Sequence, residues 1–234
     1  MRLAREGIRE MAVGTMVLGL LGVAAWIWFW PAAVPCAVVW VWLIAFFRDP
    51  QRTPTCKPGE FCSPADGTVT EITPLEHDPD VGGPALRIGI FLSLFNVHAN
   101  RSPCAARVCS IRYEPGKFLD ARHPDSGRLN EANTLILEPH GGLRGPVVVR
   151  QVAGKVARRI ICHAGVGTRL EAGERFGMIK FGSRTELILP AEGSESVVTI
   201  GQKVVAGITI IARQASPKLV EAETTDQPML SLER

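Results

Sequence analysis

Phe181-Gly182-Ser183-Arg184-Thr185-Glu186-Leu187-Ile188-Leu189-Pro190 places a Gly-Ser pair directly before an apolar, strand-like run. Glycine reaches backbone conformations closed to other residues, so the Gly182 carbonyl can be bent toward the Ser183 hydroxyl, and that hydroxyl needs a nearby base to become a nucleophile. Alone, such a pair marks a turn. Outward from it, from Gly67 onward, short apolar runs are separated by Gly, Pro, Asn and Asp, with little helical periodicity. Strands are expected over 68–72, 86–92, 107–113, 134–137, 147–152, 158–163, 185–189 and 204–212. Their regular spacing predicts a mainly β (α+β) fold, an antiparallel β-rich domain, and no internal repeat stands out.

The front of the chain is different. Residues 11–47 carry no charged side chain, and Pro31 and Pro35 divide the run into 12–30 and 36–47. The first part is long enough to cross a bilayer at ~1.5 Å per residue and the second is short for it. Trp26, Trp28 and Trp30 gather near the break and Trp40 and Trp42 lie beyond it, while Arg2, Arg5 and Arg9 precede the run and Arg48, Arg52 and Lys57 follow it. Basic residues on both flanks predict an N-terminal hydrophobic helical hairpin with both ends on the cytoplasmic face of the cell membrane. A secretory signal is a poor match, because its apolar part is ~7–15 residues and no small-x-small site follows here. A buried core helix, or a single span that exports the rest, stays open as the alternative. The expected organisation is a membrane segment over 1–47, a catalytic domain over 48–213 and a polar tail over 214–234.

A chain of 234 residues with a formal charge of +3 has neither a nucleic-acid footprint nor a repelling acidic surface. Six cysteines, among them the pairs Cys56/Cys62 and Cys104/Cys109, match no zinc spacing, so no metal is expected and free thiols are. Two polar clusters interrupt the strands. Ser63-Pro64-Ala65-Asp66-Gly67 sets an acid in a Pro/Gly turn, where an aspartate commonly bonds its own backbone. Phe95-Asn96-Val97-His98-Ala99-Asn100-Arg101 sets a histidine after an apolar strand, and histidine is suited to moving protons near neutral pH.

Taken together these pieces resemble the phosphatidylserine decarboxylase family, in its short membrane-associated bacterial and archaeal form. The resemblance covers most of residues 46–212 and rests on Phe46-Phe47-Arg48-Asp49-Pro50, the Asp66 and His98 clusters, Pro115-Gly116-Lys117-Phe118, Asn130-Glu131-Ala132-Asn133, Gln151-Val152-Ala153-Gly154 and Phe176 to Arg184. It implies a proenzyme that cuts itself between Gly182 and Ser183, leaving a β-chain and an α-chain as a heterodimer, with higher oligomers compatible. Ser183 would become a pyruvoyl group, which forms a Schiff base with the amine of phosphatidylserine and draws electrons as carbon dioxide leaves, giving phosphatidylethanolamine. His98 would serve as base, Asp66 as its orienting acid in the manner of a serine-protease triad, and Arg101 is a candidate for binding substrate. Arg48 and Arg52 would favour anionic membrane lipid if they lie near the leaflet.

The longer form of the family has Leu-Gly-Ser-Thr at the cleavage site and a second histidine three residues before the first. Here Phe181 and Arg184 flank the pair and Phe95 stands at the other position, as in the short form. Two alternatives are weighed: the same chemistry on archaetidylserine, and a membrane-anchored lipoyl- or biotinyl-like carrier. The second draws on Gly201-Gln202-Lys203-Val204-Val205-Ala206-Gly207 and on Met178-Ile179-Lys180, and leaves Asp66 and His98 unexplained.

Overall fold

The computed structural model describes residues 2–123, 125–141, 143–155, 159–180 and 182–215. The apolar run forms two helices, α1 (Ile8–Phe29) and α2 (Ala33–Phe46), joined by a 3-10 turn over Trp30–Ala32 that contains Pro31. Gly14 lies against Leu43, Gly22 against Cys36, and the Trp40 indole donates to Thr15 Oγ1 at 2.9 Å, so the helices run antiparallel as a hairpin. At ~1.5 Å per residue α1 is about 33 Å long and α2 about 21 Å. Within Arg5–Phe46 the most apolar 18-residue window has a mean hydropathy of 1.9 and is not buried, and the stretch is long and apolar enough to cross a membrane.

The base of the hairpin is anchored to the β-rich part. Phe46 and Phe47 bury their rings in a small core with Ala4, Met11 and Met178. The two-residue strands β1 (Arg2–Leu3) and β2 (Arg48–Asp49) pair across the ends of the hairpin. Lys180 donates to Glu10 at 2.6 Å and to the Glu6 carbonyl at 2.8 Å, and Arg175 bridges Glu6 and Asp49, each at 2.9 Å. These charges are largely out of water, where pairing is what makes burial tolerable.

An eight-stranded sheet supplies the main core. From one edge to the other it runs β11 (Arg169–Leu170), β7 (Ala106–Glu114), β8 (Ala132–Pro139), β9 (Val147–Val152), β13 (Ser183–Pro190), β5 (Gly83–Leu92), β4 (Gly67–Asp78) and β15 (Lys203–Val204). Two three-stranded sheets join it: β10 (Ile160–Cys162), β12 (Arg175–Ile179) and β6 (Ala99–Arg101), and then β14 (Ser194–Ser196), β16 (Ile210–Gln214) and β3 (Glu60–Cys62). Each of these neighbouring strand pairs is antiparallel, as the alternation of apolar runs and turns anticipates. Side chains alternate across β13: Leu187 and Leu189 enter the core with Ile88, Leu135 and Val149, while Arg184 and Glu186 point to the other face.

Three expectations change. The run over 204–212 is two strands, because Gly207 adopts φ +71 and turns the chain from the large sheet into a small one. The expected strand over 158–163 is Ile160–Cys162, with Arg158 outside the described residues. Gln214, assigned to the tail, is a buried member of β16 and holds the Arg144 amide at 2.8 Å, while residues 216–234 lie outside the described residues.

Gly67 opens β4 with its backbone against β5, where an added Cβ would collide with the Phe91 carbonyl oxygen. Gly67→Ala is expected to lower stability by about 1–3 kcal/mol, the usual penalty for overpacking. Gly83→Ala meets no atom within 4 Å and should stay near neutral. Thermal unfolding of the detergent-solubilised chains measures both.

Candidate active site

Two neighbouring strands leave one sheet for another at the same place. β5 ends at Leu92, directly opposite Ser183 where β13 begins, and beyond this pair the chains continue as β6 and β12, whose register puts Ala99 opposite Met178. The corner between the sheets is therefore made, among the described residues, of residues 93–98 on one chain segment and of Lys180 and Gly182 on the other. The Ile179 amide closes it by donating to the His98 carbonyl at 3.2 Å. Sequence positions 98 and 183, far apart along the chain, are brought together by this double crossing.

His98 is fully buried within that corner. Its Nε2 accepts from the Gly182 amide at 3.1 Å, and its Nδ1 lies 3.0 Å from the Asn96 carbonyl oxygen. An acceptor at Nε2 and a carbonyl at Nδ1 assign the proton to Nδ1 and leave the Nε2 lone pair on the peptide that leads into Ser183. The Phe46 ring, 4.4 Å away between centroids, covers the imidazole. Burial and the nearby Arg48 charge push its pKa down to about 4, against a small upward pull from Asp66, so the ring is neutral at physiological pH.

The Gly182–Ser183 peptide has its own fit. Gly182 sits at φ +68, a left-handed conformation that favours glycine. A Cβ on Gly154 would collide with the Gly182 carbonyl oxygen and stand 3.4 Å from the Ala121 Cβ, so the carbonyl occupies the space that a side chain at 154 would fill. Ser183 is fully buried, and its Oγ finds no hydrogen-bond partner among the described residues. A buried hydroxyl without a partner is uncommon and is the kind of group a reaction can use. Phe181, the other flank of the pair, lies outside the described residues.

Asp66 and Arg101 are placed differently from their expected roles. The Asp66 carboxylate takes both arms of the Arg52 guanidinium, at 2.5 and 2.7 Å, and accepts the Ala206 amide at 2.7 Å. The partner at His98 Nδ1 is the Asn96 carbonyl, so the orienting contact of a triad is made by backbone and Asp66 reaches the imidazole only through its field. Arg101 donates to Asp49, the Pro50 carbonyl and the Gly173 carbonyl, which occupies its guanidinium with the base of the hairpin rather than with an open site. Lys180, the modified lysine of a carrier reading, is buried in its ion pair and is not displayed on a turn. Among the described residues no group of three His, Cys, Asp or Glu could hold a metal, and all six cysteines are free.

A buried amide chain supports the strand from beneath. Asn133 donates to Gln151 at 2.9 Å, Gln151 to Asn100 at 2.8 Å, and Asn100 to Thr185 Oγ1 at 3.0 Å, two residues beyond Ser183. Asn130 binds Leu119 in both directions and donates to the Ala153 carbonyl at 2.8 Å, fixing the backbone just before Gly154. On the opposite face Arg184 is held between Glu186, at 2.7 Å, and Glu71. The sequence reading gave Gly154, Asn100 and Gln151 no role. The signal for Gln151 was an amide inside the otherwise apolar strand Val147–Val152, where a buried amide must find partners.

Two measurements test these assignments. A histidine whose folded pKa lies below its unfolded value, ~6.5, stabilises the fold fully above that value and loses the contribution as pH falls toward 4. In a Ser183→Ala background, stability should fall between pH 6.5 and 4 by on the order of 3 kcal/mol more than in the His98→Gln derivative, read by denaturation at each pH. Asp66→Asn and Arg52→Met should each destabilise the chain by about 3–5 kcal/mol, because each strands a largely buried partner. An Asp66→Asn chain that keeps its thermal stability but stops self-cleaving would show that the carboxylate acts on His98 instead of anchoring the turn.

A sequence model of the family described as phosphatidylserine decarboxylase matches residues 41–212. The chain is 48% identical over 212 residues to the phosphatidylserine decarboxylase proenzyme of Rhodopirellula baltica, covering 89% of this chain and 87% of that one. It is 47% identical to the proenzyme of Trichlorobacter lovleyi over 78% of this chain and 81% of that one. The proenzyme of Symbiobacterium thermophilum is 46% identical, over 90% and 95% of the two chains. With the matched region running from the base of the hairpin through the Gly182–Ser183 corner to β16, the chain belongs to the phosphatidylserine decarboxylase family.

Proposed function

We propose that the chain is a self-processing, pyruvoyl-dependent phosphatidylserine decarboxylase that works at the cytoplasmic face of the cell membrane. The observation that carries this reading is the buried, unpartnered Ser183 hydroxyl beside a glycine peptide whose amide is bonded to a neutral histidine. In the first step the His98 Nε2 lone pair leaves the Gly182 amide and takes the Ser183 hydroxyl proton as Oγ attacks the Gly182 carbonyl carbon. The C–N bond then breaks, the proton passes to the Ser183 nitrogen, and Gly182 is held as an ester on Oγ. Removal of the Ser183 Cα proton expels the Gly182 carboxylate, and water then releases ammonia from the α-chain end to leave a ketone.

The residues present fit that group and that chemistry. The space over Gly154 lets the Gly182 carbonyl sit where attack must occur, and the left-handed Gly182 bends it there. Phe46 keeps water from the imidazole and burial keeps it unprotonated, so a base is available at neutral pH. The pyruvoyl group supplies an electron sink for loss of carbon dioxide from a serine headgroup. His98 then stands where it can return a proton to the product carbon. The β-chain would end at Gly182 and stay with the α-chain through β13, which pairs along its length with β5 and β9.

Intact-mass spectrometry of the purified protein should find two fragments, split after Gly182, with a blocked small chain. Ser183→Ala should give one uncut, folded and inactive chain. Gly154→Ala should slow the cleavage at least about tenfold by displacing the carbonyl, an effect near 1.4 kcal/mol on the barrier. A wild-type chain that stays whole after expression with membranes, or a normally active Ser183→Ala chain, would overturn the reading.

A further inference from the structure

The turn that delivers His98 also holds two apolar side chains out into solvent. Phe95 is 75% exposed and Leu94 37%, although Val97 and His98 immediately behind them are buried. The turn is well made: the Ser93 amide and hydroxyl both donate to Asn96 Oδ1, at 2.9 and 2.7 Å, and the Asn96 amide returns to the Ser93 carbonyl at 3.0 Å. The exposed Leu94 and Phe95 side chains are therefore carried on a formed turn and do not result from fraying. Exposed apolar side chains presented on an ordered tip signal an interaction.

Its position names the partner. The Arg48 guanidinium donates to the Ala45 carbonyl at 2.8 Å and to the Phe95 carbonyl at 2.6 Å, which clamps the turn to the last turn of α2. Exposed apolar side chains of α2 run down to Val41, and this clamp sets the Leu94–Phe95 tip beside the base of the same hairpin. The same tip borders the reactive corner, with Leu94 Cδ2 3.7 Å from the position a Gly182 Cβ would take. A bilayer that receives the hairpin to its base meets this tip as the next apolar surface, and a headgroup lying in the interface is then beside Gly182.

We propose that the Leu94–Phe95 turn inserts into the boundary between headgroups and acyl chains, docking the reactive corner on the plane of the bilayer where the serine headgroup lies. Side chains of this kind enter the interface by burying apolar area, as interfacial anchors do. The proposal rests on the reading of the chain as a phosphatidylserine decarboxylase.

The test uses the full chain, hairpin included, in vesicles of phosphatidylcholine and phosphatidylserine. Phe95→Asp should self-cleave normally, lose about tenfold in kcat/KM on vesicle substrate, and lose less than about twofold on a dispersed short-chain phosphatidylserine. Phe95→Leu should keep the vesicle activity. Unchanged vesicle activity in Phe95→Asp, or an equal loss on both substrates, overturns the docking. A second readout is independent of turnover: Phe95→p-benzoylphenylalanine in the Ser183→Ala chain should form a phospholipid adduct on irradiation, seen by mass. No adduct overturns the docking whatever the activity, whereas an adduct with no decarboxylation by the parent on either substrate overturns the functional reading alone.

Discussion

The Gly182 amide donating to His98 Nε2 is the contact on which the rest of the site depends, and it exists because two hydrogen-bonded strands change sheets together. A single strand leaving a sheet would carry its residues away from their neighbours. Here β5 and β13 stay paired up to Leu92 and Ser183, and β6 and β12 resume pairing a few residues later. The short unpaired stretch between must satisfy its own backbone groups. Among the described residues it does so with an imidazole, with the Ile179–His98 bond, and with Asn96, so that irregular backbone gathers beside the Gly182–Ser183 peptide.

Placing a titratable ring in that corner has an electrostatic consequence. His98 has no carboxylate at hydrogen-bond distance, and burial dominates its ionisation, so the imidazole stays neutral. A carboxylate directly on Nδ1 would have raised its proton affinity. Asp66 instead secures the turn before β4 and the turn around Ala206 through Arg52, two segments that close over the core from opposite ends of the domain sequence. Ion pairs at the hairpin base do similar work between Glu6, Glu10, Arg175 and Lys180, and Lys180 lies two residues before Gly182. Anchoring of the apolar hairpin and placement of the Gly182–Ser183 peptide therefore share one segment of chain.

Much of the fold was legible in the sequence. The alternation of apolar runs with Gly, Pro and Asn predicted an antiparallel β-rich domain, and β5, β7, β9 and β13 fall close to their expected limits. The hairpin followed from an uncharged run broken by Pro31. What failed was local: the run over 204–212 has continuous apolar character, yet Gly207 divides it between two sheets. Apolar periodicity reports burial, and burial is the same on both sides of such a corner.

The candidate site divides along the same line. Residue type made Ser183, Gly182 and His98 candidates, but a Gly-Ser pair alone marks a turn, and it was the order and spacing of the motifs, in their resemblance to a known family, that singled the three out. Which groups touch was decided only by tertiary structure. Asp66 has the chemistry of an orienting acid, but Arg52 lies nearer, and Coulomb attraction between adjacent largely buried charges outweighs a longer reach to an imidazole. Gly154 carries no chemistry at all, and its part, leaving room for a carbonyl, is a property of the space around it that no sequence position records.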